Sequence, residues 1–244
     1  MCHKKNQMDK ALPIFSIQYF LSLGIALTCV ITLCYSFYRW PSFFRKHDTY
    51  AITILAIIGF GCGLSSTIYE MMWHHLPLVN ALPLEICGFS YAILIPGALL
   101  SRNMTLQQLL LFWGMMGGTL GLAFPVVTPD INFEYLRYYL AHSSLYISAA
   151  YVLFVHNVPV KRYTFIKIWL FLQLYFVIIL MFDLTFKTNY FYLLQKPNQS
   201  TPLNEFGPWP YYFIPCEFIA IAVFLTINWL SRRVKPQKSG FYAP

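Results

Sequence analysis

Seven apolar stretches run through this chain, each near the ~20 residues a helix needs to cross a bilayer core. They are Ile14–Phe37, Tyr50–Met72, Pro83–Leu100, Thr105–Val127, Tyr135–Phe154, Thr164–Asp183 and Tyr211–Trp229. In hydrocarbon every backbone N–H and C=O must be satisfied by protein, so runs of this length fold as helices. The pattern predicts an all-α polytopic membrane protein with seven transmembrane helices, forming a single integral membrane domain over 1–244. The first run is too long for a signal-peptide core, and no small-residue cleavage site follows it.

Composition supports this. Charged residues make up 11% of the 244, against about 25% in a soluble domain. That excludes a disordered chain and an ordinary cytosolic enzyme. The net charge of +8 would suggest nucleic acid on a soluble protein. Here the basic residues sit almost entirely in the segments between apolar runs, where they set orientation in a membrane. A nucleic-acid partner is therefore not expected; membrane lipids are. The six cysteines contain no C-x-x-C pair, so no disulfide or zinc framework is readable.

Seven spans put the termini on opposite faces. The 1–2, 3–4 and 5–6 loops and the C-terminal segment hold eleven of the 17 Lys and Arg, and a single acid, Asp48. By the positive-inside rule that face is cytoplasmic and the N-terminus is outside. In a bacterium the membrane would be the inner one. The long loop, Lys187 to Pro210, is rich in aromatics such as Tyr190, Trp209 and Tyr212. It predicts an ordered cap at the interface.

Ionisable groups within spans are costly and mark function by default. Glu70, Glu85, His142, Asp183 and Glu217 are of this kind. In the seven-span topology all fall in the outer half of the bilayer. At 1.5 Å per residue, Cys87 lies about 7 Å and His142 about 12 Å below the outer boundary, depths compatible with contact. Each residue also has a plain structural reading. Cys87 is then a small packed residue, His142 a hydrogen-bonded helix residue, and the carboxylates partners of Arg137 or of backbone donors.

Taken jointly, the set points to chemistry. A thiolate beside a histidine is a usable nucleophile and base pair, the imidazole taking the thiol proton. Glu85 or Glu217 would orient or tune the ring, and Asp183 would support it. Ser143 and Ser144 face other directions on a helix than His142. Other templates are missing: the chain has no H-E-x-x-H, no P-loop and no G-x-S-x-G. Adjacent His74 and His75 have poor geometry for one metal, so neither a metal nor a cofactor is expected. Gly114, Gly117, Gly118 and Gly121 follow small-xxx-small spacing, which allows close helix packing.

Several motifs carry a resemblance. Leu82-Pro83-Leu84-Glu85-Ile86-Cys87 opens span three, and Thr128-Pro129-Asp130 follows span four. Tyr139-Leu140-Ala141-His142-Ser143 lies in span five. Thr188-Asn189-Tyr190-Phe191-Tyr192-Leu193-Leu194-Gln195-Lys196-Pro197 follows span six, and Gly207-Pro208-Trp209-Pro210-Tyr211-Tyr212 precedes span seven. Over Leu82 to Glu217 these resemble the bacterial YwaF-like integral membrane proteins, a group similar to the eukaryotic transmembrane protein 164 family. The resemblance implies a multi-pass fold with a site inside the membrane. It further implies acyl transfer onto lysophospholipids by a cysteine and a histidine, at the positions of Cys87 and His142.

The expectation is a membrane-embedded lipid acyltransferase or lipid ester hydrolase. Cys87 and His142 are its catalytic pair, and Asn189, Tyr190 and Trp209 line its entrance. The alternative is a proton-coupled transporter or small-molecule-binding membrane protein, in which the carboxylates and histidine form a relay. A transporter would be expected to show repeats, and none is apparent in the sequence.

Overall fold

The computed structural model describes residues 12, 13, 15–196 and 205–234. The start of the first run at Ile14 and the 197–204 part of the long loop lie outside the described residues. Among those described there are helices and no strands. Two compact units are resolved, Met1–Pro159 with Val234–Pro244, and Val160–Arg233. Each is described by itself.

The first unit begins with α1 (Ile17–Arg39), whose N-terminus is capped by Ser16 accepting from the Tyr19 N–H at 3.1 Å. Pro41 opens the short α2 (Pro41–Lys46), where a missing N–H costs nothing because first-turn donors lack intrahelical acceptors. Then come α3 (Asp48–Trp73) and the single turn α4 (Leu78–Ala81). Next is α5 (Ile86–Ser101). Arg102, at φ +53°, turns the chain out of α5. Asn103 caps α6 (Met104–Ala123) through the N–H groups of Thr105 and Leu106. Asn132 caps α7 (Phe133–Phe154) through the Tyr135 N–H. The second unit contains α8 (Thr164–Phe186), a 3-10 turn at Tyr190–Tyr192, and α9 (Phe213–Arg233).

All seven apolar runs are helical, with ends displaced by a few residues to where caps and prolines fall. Helices α1, α3, α8 and α9 are each long and apolar enough to cross a membrane. Helix α5 is shorter, because the extended backbone of Glu85 (φ −60°, ψ 150°) holds its start back to Ile86. Helices α6 and α7 carry several of the buried polar groups of the first unit, including Gln107, Gln108, His142 and Ser148. Helix α1 turns Phe20, Leu21, Ile25 and Ile31 outward, as a lipid-facing helix does.

Helix α5 is not regular. Pro96 has no N–H to give the Ala92 carbonyl, the acceptor four residues back. The backbone widens just before it into a π turn over Ser90–Leu94, where the Ile95 N–H reaches the Ser90 carbonyl. Helix α3 packs on this turn at backbone distance. A Cβ at Gly59 would stand 2.4 Å from the Tyr91 oxygen, and one at Gly63 would stand 2.2 Å from the Ala92 Cβ. Pi turns inside helices recur at functional sites, and this one begins three residues after Cys87.

Helix α1 is tied across the α6–α7 connection. The Leu12 N–H donates to Val127 O at 2.7 Å, Gln18 Nε2 to Pro129 O at 2.5 Å, and Tyr19 OH to Ala123 O at 3.1 Å. Beneath these bonds Leu12, Tyr19, Ala26, Leu122, Val127, Tyr135 and Tyr139 form a buried apolar cluster.

Candidate functional site

The site is built on one bare face of α6. Gly117 and Gly121 are four residues apart, so they share a face at successive turns. The Cys87 thiol, from the first turn of α5, lies over the first and bonds the Gly117 carbonyl at 3.6 Å. The His142 ring, from α7, lies over the second. A Cβ at Gly117 would stand 3.0 Å from Cys87 Sγ. One at Gly121 would stand 1.9 Å from His142 Cδ2 and 2.4 Å from Nε2. The thiol and imidazole therefore occupy the volume that two side chains would fill, about 6 Å apart along the helix axis. The glycines also serve the expected close packing: Gly114 faces the Leu145 carbonyl and Gly118 the Tyr146 ring.

His142 is buried and its ring is oriented. Nδ1 lies 2.9 Å from the carbonyl of Tyr138, one turn back on α7. A carbonyl only accepts, so Nδ1 carries the proton and Nε2 holds the lone pair. The Tyr138 ring covers the imidazole with centroids 4.1 Å apart, and its hydroxyl donates to Gly121 O at 2.9 Å. Tyr91, from the π turn, meets the imidazole edge-on at 6.3 Å. Nε2 is left facing the glycine floor.

The nitrogen that a carboxylate was expected to hold is thus engaged by Tyr138. Glu85 sits exposed at the N-cap of α5, within electrostatic range of Cys87. Ser144 donates to Ala141 O at 2.7 Å, within its own helix. Among the described residues no group of three or more His, Cys, Asp or Glu is placed to hold a metal ion.

The other expected residues belong to the second unit and have partners there. Glu217 accepts from Trp169 Nε1 at 2.9 Å and from Gln173 Nε2 at 3.0 Å, joining α9 to α8. Asp183 is fully buried, and its Oδ1 accepts from Thr188 Oγ1 at 2.5 Å and Tyr190 N at 3.1 Å. It organises the turn that leaves α8. Asn189 Oδ1 accepts from the N–H groups of Leu194 and Gln195. Tyr190 is buried, while Trp209 is exposed and donates to Leu193 O at 3.0 Å. The Tyr212 hydroxyl bonds Tyr192 O. The described part of the aromatic loop is ordered by these bonds.

A second buried polar group in the first unit was not anticipated. Asp48 Oδ1 accepts from Tyr151 OH at 2.7 Å and His156 Nε2 at 2.8 Å, while Oδ2 takes Arg102 at 2.6 Å. Gln107 Nε2 donates both to Ala98 O at 3.3 Å and to His156 Nδ1 at 2.8 Å. With Nδ1 accepting, the ring's proton is on Nε2 and points at Asp48. One carboxylate thus gathers α3, α7 and the α5–α6 connection. Its sequence signal was Asp48 alone among basic loop segments.

These features define an all-α polytopic membrane protein in which a thiol and an imidazole each pack against a glycine of one helix. The chain belongs to the TMEM164 family, whose model matches residues 14–228. The match takes in α1 and α3, beyond the stretch from Leu82 to Glu217 that carried the motifs. No curated protein and no solved structure matches the chain significantly.

Proposed function

We propose that this chain is a membrane-embedded lipid acyltransferase or lipid ester hydrolase working through Cys87 and His142. One observation carries the reading: Cys87 Sγ and the His142 ring rest on Gly117 and Gly121, successive turns of one helix face. The absent side chains make room for the two reactive groups themselves. The histidine tautomer suits the role, since Nε2 is the basic nitrogen.

In the proposed cycle Nε2 takes the thiol proton through one bridging water, across the roughly 6 Å between their seats on α6, as Sγ attacks the ester carbonyl of a membrane lipid. The new S–C bond forms, the ester C–O bond breaks, and the imidazolium returns the proton to the departing lipid oxygen. Nε2 then takes a proton from an acceptor hydroxyl or from water, whose oxygen attacks the thioester. The S–C bond breaks, and the proton passes back to the thiolate. Acceptor access decides between transfer and hydrolysis. Tyr138 positions the ring through its carbonyl and its stacking. Glu85 acts on the thiol through its charge.

The test is turnover of mixed phospholipids by purified wild type, Cys87→Ala and His142→Ala. The reading expects loss of turnover in both variants. Unchanged turnover in Cys87→Ala removes the nucleophile.

A further inference from the structure

Arg137 lies on α7 five residues before His142, about 7.5 Å along the axis. It is half-buried, and its Nε is wholly enclosed with no hydrogen-bond partner. Among the described residues no carboxylate comes within 4.0 Å of it; Arg102 is the cation that pairs with Asp48. A cation partly withdrawn from water without a counter-charge is costly. Guanidinium also presents a planar fork of donors that matches phosphate oxygens.

Arg137 is within electrostatic range of His142 and of Tyr91 in the π turn. Tyr69, near the end of α3, is in range of Arg137, Glu70 and Glu134 together. Yet Glu70 Oε2 is also enclosed without a partner. No acid among the described residues closes on the guanidinium, and of its three nitrogens Nε alone is enclosed without a partner, which leaves Nη1 and Nη2 for an outside anion.

We infer that Arg137 binds the phosphate of a glycerophospholipid whose ester carbonyl lies at Cys87 and His142. This rests on the acyl-transfer reading of that site. Five residues of helix, about 7.5 Å along the axis, separate Arg137 from His142, and a glycerol backbone separates phosphate from ester carbonyl by a comparable reach. Arg137 would thereby fix how deep the ester sits against the thiol. It is a substrate-binding residue, distinct from the pair that makes and breaks bonds. The same donors would suit free phosphate, so the test must separate the two sources.

The experiment is native mass spectrometry of the full chain in detergent, in a Cys87→Ala background so that no chemistry intervenes. The probes are lysophosphatidylglycerol, monoacylglycerol of the same chain length, and inorganic phosphate as competitor. Arg137→Gln is expected to lower lysophosphatidylglycerol occupancy about tenfold, the scale of a charge-assisted hydrogen bond. Monoacylglycerol occupancy should not change, and Arg137→Lys should fall between. Equal lysophosphatidylglycerol occupancy in Arg137→Gln overturns the inference, as does an equal fall for both lipids. Displacement of the lipid by inorganic phosphate at the same concentration would make this a free-anion site, and also overturns it. The two readings fail separately. Arg137-dependent binding without any acyl adduct on Cys87 of the wild type removes the thioester route alone. Full adduct formation in Arg137→Gln removes the phosphate assignment alone.

Discussion

The imidazole of His142 lies where a side chain on Gly121 would be: a Cβ there would come within 1.9 Å of Cδ2. Gly121→Ala must therefore displace the ring or push α6 from α7. Overpacking of this kind costs about 1–3 kcal/mol, and here the ring that moves is the proposed base. Gly121→Ala should lower the thermal midpoint in detergent and abolish turnover. Gly24→Ala on α1 is the control, since nothing lies within 4 Å of its Cβ position. It should be neutral or stabilising, by up to about 1 kcal/mol, as for an exposed helix glycine.

Tyr138 holds His142 in two ways, and they can be separated. Tyr138→Phe keeps the stacked ring and the backbone carbonyl but removes the hydroxyl bond to Gly121 O. That bond contributes about 1 kcal/mol. Turnover should fall several-fold and survive. Tyr138→Ala removes the ring as well and should reduce turnover much further. Equal turnover in Tyr138→Ala and wild type would mean the ring does not position His142.

Asp48 bonds Tyr151, His156 and Arg102 at once. Asp48→Asn removes the charge and puts an NH2 donor in place of one carboxylate oxygen, so that either Arg102 or the Tyr151–His156 pair faces a donor instead of an acceptor. With Arg102 partly exposed, the main cost is the buried group left facing a like donor, about 1–3 kcal/mol. The expected result is a drop in thermal midpoint. His156→Gln should lose less stability on the Asp48→Asn background than on wild type, because the two share one network. Additive losses would show that they act independently.

In the second unit Asp183 holds the turn after α8 through Thr188 and Tyr190. Asp183→Ala leaves the Tyr190 N–H and the Thr188 hydroxyl without that acceptor, at about 1–3 kcal/mol for an unsatisfied group. Amide hydrogen exchange should quicken at Thr188–Leu193 and stay unchanged in α6 and α7. Unchanged exchange in the turn would show that other contacts suffice to hold it.

Helix positions were legible because apolar runs of membrane length leave a chain little else to form. The bounds moved where local chemistry acts: Asn103 and Asn132 start α6 and α7 as caps, and Glu85 delays α5. Cys87 and His142 were legible as residue types at similar depth. Their floor was half legible, since the glycine spacing signalled close packing but not what would sit on it. The orientation of His142 was missed because its partner is a backbone carbonyl, which leaves no trace in composition. Asp48 and His156 were missed for another reason. They lie 108 residues apart, and a loop-by-loop charge count treats each alone. Asp183 read as a site residue because ionisable groups within spans suggest function, and its bonds to Thr188 and Tyr190 are local ones that composition does not reveal.

The central claim is that Cys87 carries an acyl group between two lipid oxygens. Intact-protein mass spectrometry after incubation with mixed phospholipids tests it most directly. Wild type should show an acyl-sized adduct that maps to Cys87 and is released by hydroxylamine. Cys87→Ala should show none, and His142→Ala should form it slowly or not at all. Lipid turnover by Cys87→Ala at the wild-type rate, or an adduct that persists in that variant, would contradict the account.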